Sequence, residues 1–260
     1  MIDLHTHLLP DWDDGAKDWD EMRRMAEIAS KDGIHKIVLT PHIFRLSKHN
    51  DDFAVLEQKM DEFKNQLRGI PMQFYRGAEV FVRHNLAENI QRHSFTINDS
   101  DYIFIEFPSG QIVPGAKELF YNLMLAGYIP IISHPERNAI FASRPDLLYE
   151  FVEAGSLGQV TAKSLTGEFG AETKKTADLF ITHNLVHVIA SDAHDPERRP
   201  PRLSAGVAEA ARIVGKERAE AMVTDIPQAI LDNKQIPYLG DPVNPVNKKK
   251  WAIRLPRIKR

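Results

Sequence analysis

The sequence predicts an α/β fold in which a parallel β-sheet closes into a barrel. Short apolar strands alternate with amphipathic helices about seven times along the chain, a pattern that is typical of parallel sheets. The length of 260 residues is one at which α/β barrels commonly form a single domain. No G-x-G-x-x-G or Walker A sequence follows a predicted strand, so an open nucleotide-binding sheet has no support.

Each predicted strand is a short apolar run, beginning with the N-terminal MIDLH and continuing with HKIVLTP. The predicted strands cover residues 1–5, 35–41, 72–80, 101–107, 129–135, 156–162 and 185–194. The segments between them carry apolar or small residues at helical spacing, and Gly33 and Gly155 are suitable stop signals. The predicted helices cover residues 18–32, 51–68, 116–128, 144–155, 171–184 and 203–233.

The composition limits the class of protein and the kinds of site. No apolar run approaches the roughly 20 residues of a membrane span, and the N-terminus lacks the features of a signal peptide. The chain has no cysteine, which fits a cytoplasmic protein and excludes thiolate nucleophiles and thiolate metal sites. Any metal ion must therefore be held by histidine and carboxylate side chains.

Charge is unevenly distributed along the chain. The net charge is -3, but residues 244–260 hold seven Lys or Arg and no acid, so residues 1–243 carry 26 basic against 36 acidic side chains. An acidic body is a poor candidate for non-specific nucleic-acid binding, and we expect no nucleic-acid partner.

Residues that bind metal ions recur where the predicted strands end. His5 and His7, like Asp192 and His194, are two residues apart, and such residues share one face of a strand. Active sites of barrel enzymes lie at the carboxyl ends of the strands. The candidate ligands are His5, His7, Asp14, His42, Glu79, Glu106, His134, Asp192 and His194. Nine nitrogen and oxygen ligands are too many for one ion, and they suit two or three ions of Mn, Fe, Zn or Mg.

Taken singly, these residues also have structural explanations. A lone histidine at a strand end is usually structural or solvated, and Glu106 could face water from an edge strand. Asp11, Asp13 and Asp14 could form a turn or cap the helix predicted over 18–32. The agreement of six strand ends favours the metal site. The remaining histidines have no predicted role.

Six motifs, in this order and at these spacings, resemble a known family: HTHLLPDWDDG, TPH, GAEV, FIEF, SHPER and SDAH. They are similar to the PHP (polymerase and histidinol phosphatase) superfamily, and within it to the CpsB/CapC-type bacterial tyrosine-protein phosphatases of capsule and exopolysaccharide operons. The resemblance covers about residues 1–235. It implies a distorted TIM-like (β/α)7 barrel of the PHP fold over residues 1–240, followed by a basic tail over 241–260.

The resemblance also implies a cluster of two or three divalent ions, with Mn expected first. It divides the ligands into His5, His7, Glu79 and Asp192 for one ion, Glu79, Glu106 and His134 for a second, and Asp14, His42 and His194 for a third. Arg137 and Arg199 match positions that grip substrate phosphate, with the adjacent Arg198 as an alternative to Arg199. His42 or a metal-bound water are the candidates for the general acid.

These residues suggest hydrolysis of phosphotyrosine by a metal-bound hydroxide. The resemblance implies that the substrate is a membrane-associated bacterial tyrosine autokinase. The basic tail could contact anionic lipid, attract a phosphorylated acidic segment, strap a neighbouring subunit in a homo-oligomer, or be a solvated terminus.

Four other functions compete with this prediction. They are a related phosphoesterase such as histidinol-phosphate phosphatase, a 3′–5′ exonuclease, a non-catalytic regulator that binds the kinase, and an amidohydrolase with a carbamylated lysine. The acidic body opposes the exonuclease, the complete ligand set opposes the regulator, and no predicted strand end offers the lysine.

Overall fold

A computed structural model describes residues 1–49, 51–67, 69–88, 90 and 95–246. Most of the basic tail, residues 247–260, therefore lies outside the described part of the chain, and the predicted roles of the tail stay predictions. Between residues 234 and 246 the chain forms no helix or strand. None of the helices that the structure describes is long and apolar enough to cross a membrane.

All of the described strand pairs are parallel, as the alternation of strands and helices predicted. The strands are β1 (Ile2–Thr6), β2 (Lys36–Leu39), β3 (His42–Ile43), β4 (Gln73–Arg76), β5 (Glu79–Phe81), β6 (Tyr102–Glu106), β7 (Ile129–Ser133), β8 (Leu157–Thr161) and β9 (Val188–Ala190). They form a three-stranded sheet in the order β1-β2-β4 and a six-stranded sheet in the order β3-β5-β6-β7-β8-β9.

The predicted strand 72–80 is divided into β4 and β5, and the predicted strand 35–41 ends early and is followed by a short strand, β3, that was not predicted. The segment predicted as 35–41 is interrupted at Thr40 and Pro41, because proline has no N–H to donate and the Thr40 N–H donates instead to the Thr6 carbonyl at 2.8 Å. The segment predicted as 72–80 is interrupted before β5, where a Cβ on Gly77 would lie 2.8 Å from a methyl group of Val38. The chain therefore passes from one sheet to the other in both segments.

Backbone hydrogen bonds beyond the paired strands bring β9 next to β1. The His7 N–H donates to the Ala193 carbonyl at 2.8 Å, and the Asp192 N–H donates to the His5 carbonyl at 2.9 Å. We call each strand of the barrel a stave, and count β2 with β3, and β4 with β5, as one bent stave each. Seven staves then follow one another around the molecule in chain order. The predicted seven-stave barrel is confirmed, with its hydrogen bonding divided between two sheets. The last predicted strand, 185–194, is shorter than expected because Asp192 adopts a left-handed backbone conformation, with φ of 53°.

Helices pack outside the strands. The described helices are α1 (Trp19–Lys31), α2 (Phe53–Gln66), α3 (Ala116–Leu125), α4 (Ala139–Ser143), α5 (Pro145–Glu153), α6 (Ala162–Thr166), α7 (Ala171–Thr182), α8 (Ser204–Val214), α9 (Lys216–Ala221) and α10 (Asp225–Leu231). The helical stretch predicted over 203–233 is three helices: Gly215, with a φ of 85°, separates the first from the second, and a turn over 222–224 separates the second from the third. Asp18, rather than Asp11, Asp13 or Asp14, caps α1, since its side chain accepts from the Glu21 N–H at 2.8 Å.

Candidate metal centre

The nine predicted ligands lie together at the carboxyl ends of the strands. Six of them end or follow β1, β6, β7 and β9, His42 and Glu79 begin the short strands β3 and β5, and Asp14 lies in the loop after β1. Every one of them belongs to at least one group of side chains whose nitrogen and oxygen atoms are all within 4.8 Å of one another. Eight of the nine are largely buried, and Asp14 is the exposed member. Parallel strands end at one rim of a barrel, which is why distant parts of the sequence meet here.

The most compact group contains His5, His7, Glu79 and Asp192. The two histidine Nε2 atoms are 3.2 Å apart. The Glu79 Oε2 atom lies 3.3 Å from the first and 3.5 Å from the second, and the Asp192 Oδ1 atom lies 3.5 and 3.4 Å from them. Ligands bound at about 2.0–2.1 Å around a four-coordinate ion lie about 3.3–3.4 Å from one another. The two histidine nitrogens, taken with the oxygen of either carboxylate, therefore have the spacing of ligands around a small divalent cation.

A second group joins Glu79 to Glu106 and two histidines. The His42 Nδ1 atom lies 3.1 Å from Glu79 Oε2 and 3.7 Å from Glu106 Oε2. The His134 Nε2 atom lies 3.0 Å from Glu79 Oε1. Buried His42 Nδ1, both Glu79 oxygens and Glu106 Oε2 make no hydrogen bond of good geometry with the described residues. Buried polar atoms are normally satisfied, so these atoms are suited to bind a cation.

The third group surrounds the exposed side chain of Asp14. Its Oδ1 atom lies 3.5 Å from His42 Nε2 and 3.4 Å from His194 Nε2. The His7 ring packs beside both histidines, with its centroid 4.4 Å from that of His42 and 4.0 Å from that of His194. This corner of the cluster is the one most open to solvent.

The groups overlap, so distances alone do not divide the ligands among ions. Glu79 and His42 each belong to two groups, and His134 also lies in a group with His5 and Asp192. The division implied by the family resemblance stays a prediction. A shared carboxylate such as Glu79 is suited to bridge two ions.

Asp13 orients two of the histidines, a role that sequence reasoning missed. Its Oδ2 atom accepts from His7 Nδ1 at 2.9 Å and from the His42 backbone N–H at 2.9 Å, while Oδ1 accepts from the Gly15 N–H at 2.9 Å. Burial lowers the pKa of the His7 imidazole, but Asp13, together with Asp192 and Glu79, outweighs burial and holds that pKa well above its ordinary value. Because His7 donates from Nδ1, its Nε2 lone pair faces the metal centre.

Gln159 does the same for His5. Its Oε1 atom accepts from His5 Nδ1 at 3.0 Å and from the His134 backbone N–H at 3.2 Å. Gln159 is fully buried in β8, and its place as the single amide in the apolar strand LGQVT is the sequence signal that could have revealed it.

Positive groups keep the central carboxylates ionised. Burial favours the neutral form of Glu79, but His5 and the other nearby histidines outweigh it and hold the pKa of Glu79 well below its ordinary value. Burial opposes ionisation of Asp192 as well, and Arg199 and His194 hold its pKa well below the ordinary value. Both carboxylates are therefore available as anionic ligands at neutral pH.

Arg137 and Arg199 meet at Asp192. Arg137 donates from Nη1 and Arg199 from Nη2 to the same Asp192 oxygen, Oδ2, each at 2.5 Å. Both line the cavity above the cluster. Arg198 is exposed, and its backbone carbonyl accepts from Lys163. Of the two neighbouring arginines, Arg199 is the one that faces the cavity.

Arg45 is a third arginine at the cavity, and no sequence pattern predicted it. It donates to Glu106 Oε1 at 2.6 Å. Burial and the neighbouring Glu79 raise the pKa of Glu106, and Arg45 partly offsets that effect. Arg45 occupies one oxygen of Glu106 and leaves Oε2 directed toward the cluster.

Comparison with known proteins identifies relatives of the whole chain. The family model described as "Capsular polysaccharide synthesis, CpsB/CapC" matches residues 1–232. The putative tyrosine-protein phosphatase CapC of Staphylococcus aureus is 39% identical over 203 residues, 77% of this chain and 79% of the relative. The tyrosine-protein phosphatase YwqE of Bacillus subtilis is 35% identical over 256 residues, 96% of this chain and 98% of the relative.

Solved structures agree with these relatives. A structure reported with YwqE from Bacillus subtilis and CpsB from Streptococcus pneumoniae, described as unique metal-dependent tyrosine phosphatases, superposes with a TM-score of 0.86. It is 34% identical, and the match covers 94% of this chain and 99% of the other. Histidinol phosphate phosphatase from Lactococcus lactis shares the fold, with a TM-score of 0.51 at 12% identity over 84% of this chain and 93% of the other.

Proposed function

The chain belongs to the CpsB/CapC family of capsular polysaccharide synthesis, and from this we propose that it is a metal-dependent protein-tyrosine phosphatase. The observation that carries the proposal is that the buried His5 and His7 nitrogens lie at cation-ligand spacing from each other, from an oxygen of Glu79 and from an oxygen of Asp192. Relatives of this chain at substantial identity are named tyrosine-protein phosphatases, and a solved relative is described as metal-dependent.

We assign two or three divalent ions to the cluster, with Mn as the first choice and Fe, Zn or Mg as alternatives. The proposed ligands are His5, His7, Asp14, His42, Glu79, Glu106, His134, Asp192 and His194. Such ions supply Lewis acidity to the phosphoryl oxygens and lower the pKa of bound water toward neutrality.

The two arginines at Asp192 bind the phosphoryl group. Arg137 and Arg199 each donate one N–H to Asp192 Oδ2, and their other guanidinium donors, which have no hydrogen-bond partner among the described side chains, can hold phosphoryl oxygens in the cavity. Because Asp192 fixes both side chains, the phosphate is bound in one orientation. The hydrogen bonds strengthen as charge develops on the transferring group.

His42 is better suited to bind metal than to act as the general acid. Its Nδ1 atom faces Glu79 and Glu106, and its Nε2 atom faces Asp14. With both ring nitrogens directed at carboxylates of the cluster, neither is placed toward a leaving group. The phenolic oxygen of tyrosine, with a pKa of about 10, leaves more readily than an alkoxide and depends less on an acid.

The physiological substrate in this proposal is a phosphotyrosine protein, specifically a membrane-associated bacterial tyrosine kinase that acts in capsule or exopolysaccharide synthesis. The family description links the chain to capsular polysaccharide synthesis, which supports that choice. A cytoplasmic location is part of the same proposal.

Hydrolysis of a phosphotyrosine peptide by chelator-stripped protein, with and without added Mn, tests the function. We expect activity only with metal, and a parallel assay with histidinol phosphate should give a much lower kcat/KM. Glu79→Gln, which keeps the side-chain volume but removes the charge, should abolish metal-dependent turnover, while His84→Asn, at an exposed position, should not. If the protein binds metal but does not hydrolyse phosphotyrosine, the metal site is supported and the assignment of phosphotyrosine as the substrate is refuted.

A further inference from the structure

We propose that a second pocket beside the metal centre binds the aromatic ring of the substrate tyrosine and selects aryl over alkyl phosphates. We call it the ring pocket. It shares Arg45, Glu106, His134 and Arg137 with the metal cavity, so the two spaces adjoin. This inference rests on the proposed phosphatase function and deepens it.

The position of the ring pocket matches the path of a leaving group. It lies over the carboxyl ends of β6 and β7 and is bounded by the residues that follow these strands, including Phe107 and Asn138. Arg137 stands between the two spaces, with one N–H on Asp192. A phosphoryl group held by Arg137 in the metal cavity can therefore direct its ester oxygen and the attached ring into the neighbouring pocket.

Two phenylalanines form a rigid aromatic floor. The rings of Phe107 and Phe141 meet edge to face, with centroids 5.5 Å apart. Phe107 also stacks on Phe120, and Phe141 packs against Phe151, so the floor is part of the hydrophobic core. Asn138, at the rim of the pocket, is fixed as well, because its side-chain oxygen accepts hydrogen bonds from the backbone N–H groups of two residues of α4. A floor of this kind is preorganised for an apolar ring.

The ring pocket has a volume of about 110 Å³. A closed apolar cavity that accommodates benzene has about 150 Å³, so a six-membered ring fits the ring pocket only in part. The ring pocket opens at the metal cavity, so a ring can occupy it without being fully enclosed. The two arginines that border it, Arg45 and Arg137, can contact the faces or edges of an aromatic ring through their guanidinium planes.

Ser133 supplies an independent sign that the pocket binds a ligand. This last residue of β7 is 3% exposed and lines the pocket. Its hydroxyl makes no hydrogen bond with any residue that the structure describes. Buried hydroxyls are normally paired. Ser133 and the proposed ligand His134 are consecutive and both line the ring pocket, so the hydroxyl of Ser133 is the donor that we assign to the phenolic oxygen of the substrate.

The inference can be tested by binding, independently of turnover. Benzylphosphonate and ethylphosphonate are stable mimics of an aryl and an alkyl phosphate, and calorimetry on metal-loaded protein gives their affinities. We expect the wild-type protein to prefer benzylphosphonate by at least about tenfold. Ser133→Val places two methyl groups at the pocket wall, and the ratio of the two affinities should fall toward one.

A conservative variant tests the role of the hydroxyl. Ser133→Ala should reduce kcat for a phosphotyrosine peptide by about tenfold and should reduce kcat for p-nitrophenyl phosphate much less. Nitrophenolate is a far weaker base than tyrosinate and depends less on a donor. A purely structural role for Ser133 would lower both rates by the same factor.

Ser156 provides the matched control. It is also a buried serine whose hydroxyl lacks a partner among the described residues, but it precedes β8 at the opposite end of the barrel. Ser156→Val and Ser156→Ala should leave both ratios at the wild-type values.

The outcomes separate the inference from the function. Equal wild-type affinity for the two phosphonates, or a preference that persists in Ser133→Val, would overturn the ring pocket even if phosphotyrosine is hydrolysed. A Ser133-dependent preference for benzylphosphonate in a protein that does not hydrolyse phosphotyrosine would support the ring pocket and refute the proposed function.

Discussion

Asp13 is the residue on which the orientation of the metal centre most depends, because it binds His7 and the His42 backbone with one oxygen. In Asp13→Asn the side chain keeps its shape but loses its charge, and one acceptor oxygen becomes an NH₂ group. We expect metal affinity or kcat/KM to fall by about 10–100-fold. Metal titration and peptide hydrolysis measure the effect. Asp11→Asn, at the exposed neighbour, is the control, and an equal effect of both variants would contradict the orienting role.

The two adjacent arginines should differ sharply in their effect on catalysis. Arg199 shares Asp192 with Arg137, whereas Arg198 is exposed. Arg199→Lys loses the planar donor pair, and we expect kcat/KM for a phosphotyrosine peptide to fall by about tenfold or more. Arg198→Lys should stay within about twofold of the wild type. Steady-state kinetics on both variants measures the two effects. A larger fall in kcat/KM for Arg198→Lys than for Arg199→Lys would refute the assignment of Arg199.

The nine candidate ligands were predictable because eight are metal-binding side chains at or near the end of a predicted apolar strand and the ninth, Asp14, lies in the loop after the first strand. The structure brings all nine together. Asp13, Gln159 and Arg45 were not predicted because their roles depend on which side chain they face after folding. Asp13 in particular has a sequence context that fits a turn or a helix cap equally well.

At the scale of secondary structure, the strands were predictable and their interruptions were not. Pro41, which ends one predicted strand, and Gly77, which lies inside another, are turn signals, yet the apolar runs beside them favour longer strands. The interruptions arise from the close approach of neighbouring staves, such as that of Gly77 to Val38, which only the folded arrangement defines. They place His42 and Glu79 at the start of short strands beside the metal centre.

The junction of β8 and β9 contains a histidine that should make stability depend on pH. The His187 N–H donates to the Gly158 carbonyl at 2.7 Å, and the Gly158 N–H donates to His187 Nδ1 at 3.2 Å. Burial, with a smaller effect of Arg218, lowers the pKa of His187 to about 4. In the unfolded chain the histidine pKa is about 6.5, so between about pH 6.5 and 4 this histidine is protonated in the unfolded chain and neutral in the folded chain. This contribution to stability is therefore complete above about pH 6.5 and is lost as the pH falls toward 4.

Urea unfolding at pH 7.5 and 5.5 measures this effect. The contribution of His187 should reduce the free energy of unfolding by about 1 kcal/mol between these two values. His187→Asn should be less stable at pH 7.5 but should lose about 1 kcal/mol less on acidification, whereas His84→Asn, at an exposed site, should follow the wild type. Parallel pH profiles for the wild type and His187→Asn would show that His187 does not titrate in this way.

On the scale of the whole molecule, the barrel was predictable because strand–helix alternation at this length leaves few other folds. Its closure was not, because β1 and β9 meet through hydrogen bonds of His7 and Asp192, beyond the ends of the strands. Two proposed ligands thus lie in the segment that joins the first stave to the last. The same residues serve closure of the barrel and the metal centre, so the two properties should be coupled.

Removing the metal should therefore affect the whole barrel and not only catalysis. The proposed ligands come from six of the seven barrel strands. Ions that bind only the folded chain stabilise it by about 4 kcal/mol when their concentration is a thousand times their dissociation constant.

Burial lowers the pKa of His5 and His7, but nearby carboxylates outweigh burial, so both pKa values are raised. Without ions these histidines keep protons below their raised pKa values, and those protons must leave when a metal binds. Affinity for Mn should accordingly weaken as the pH falls. Calorimetry in two buffers of different ionisation enthalpy measures the released protons, and thermal unfolding of stripped and Mn-loaded protein measures the stabilisation. A melting temperature that Mn does not raise, together with no proton release, would mean that this cluster does not hold the metal.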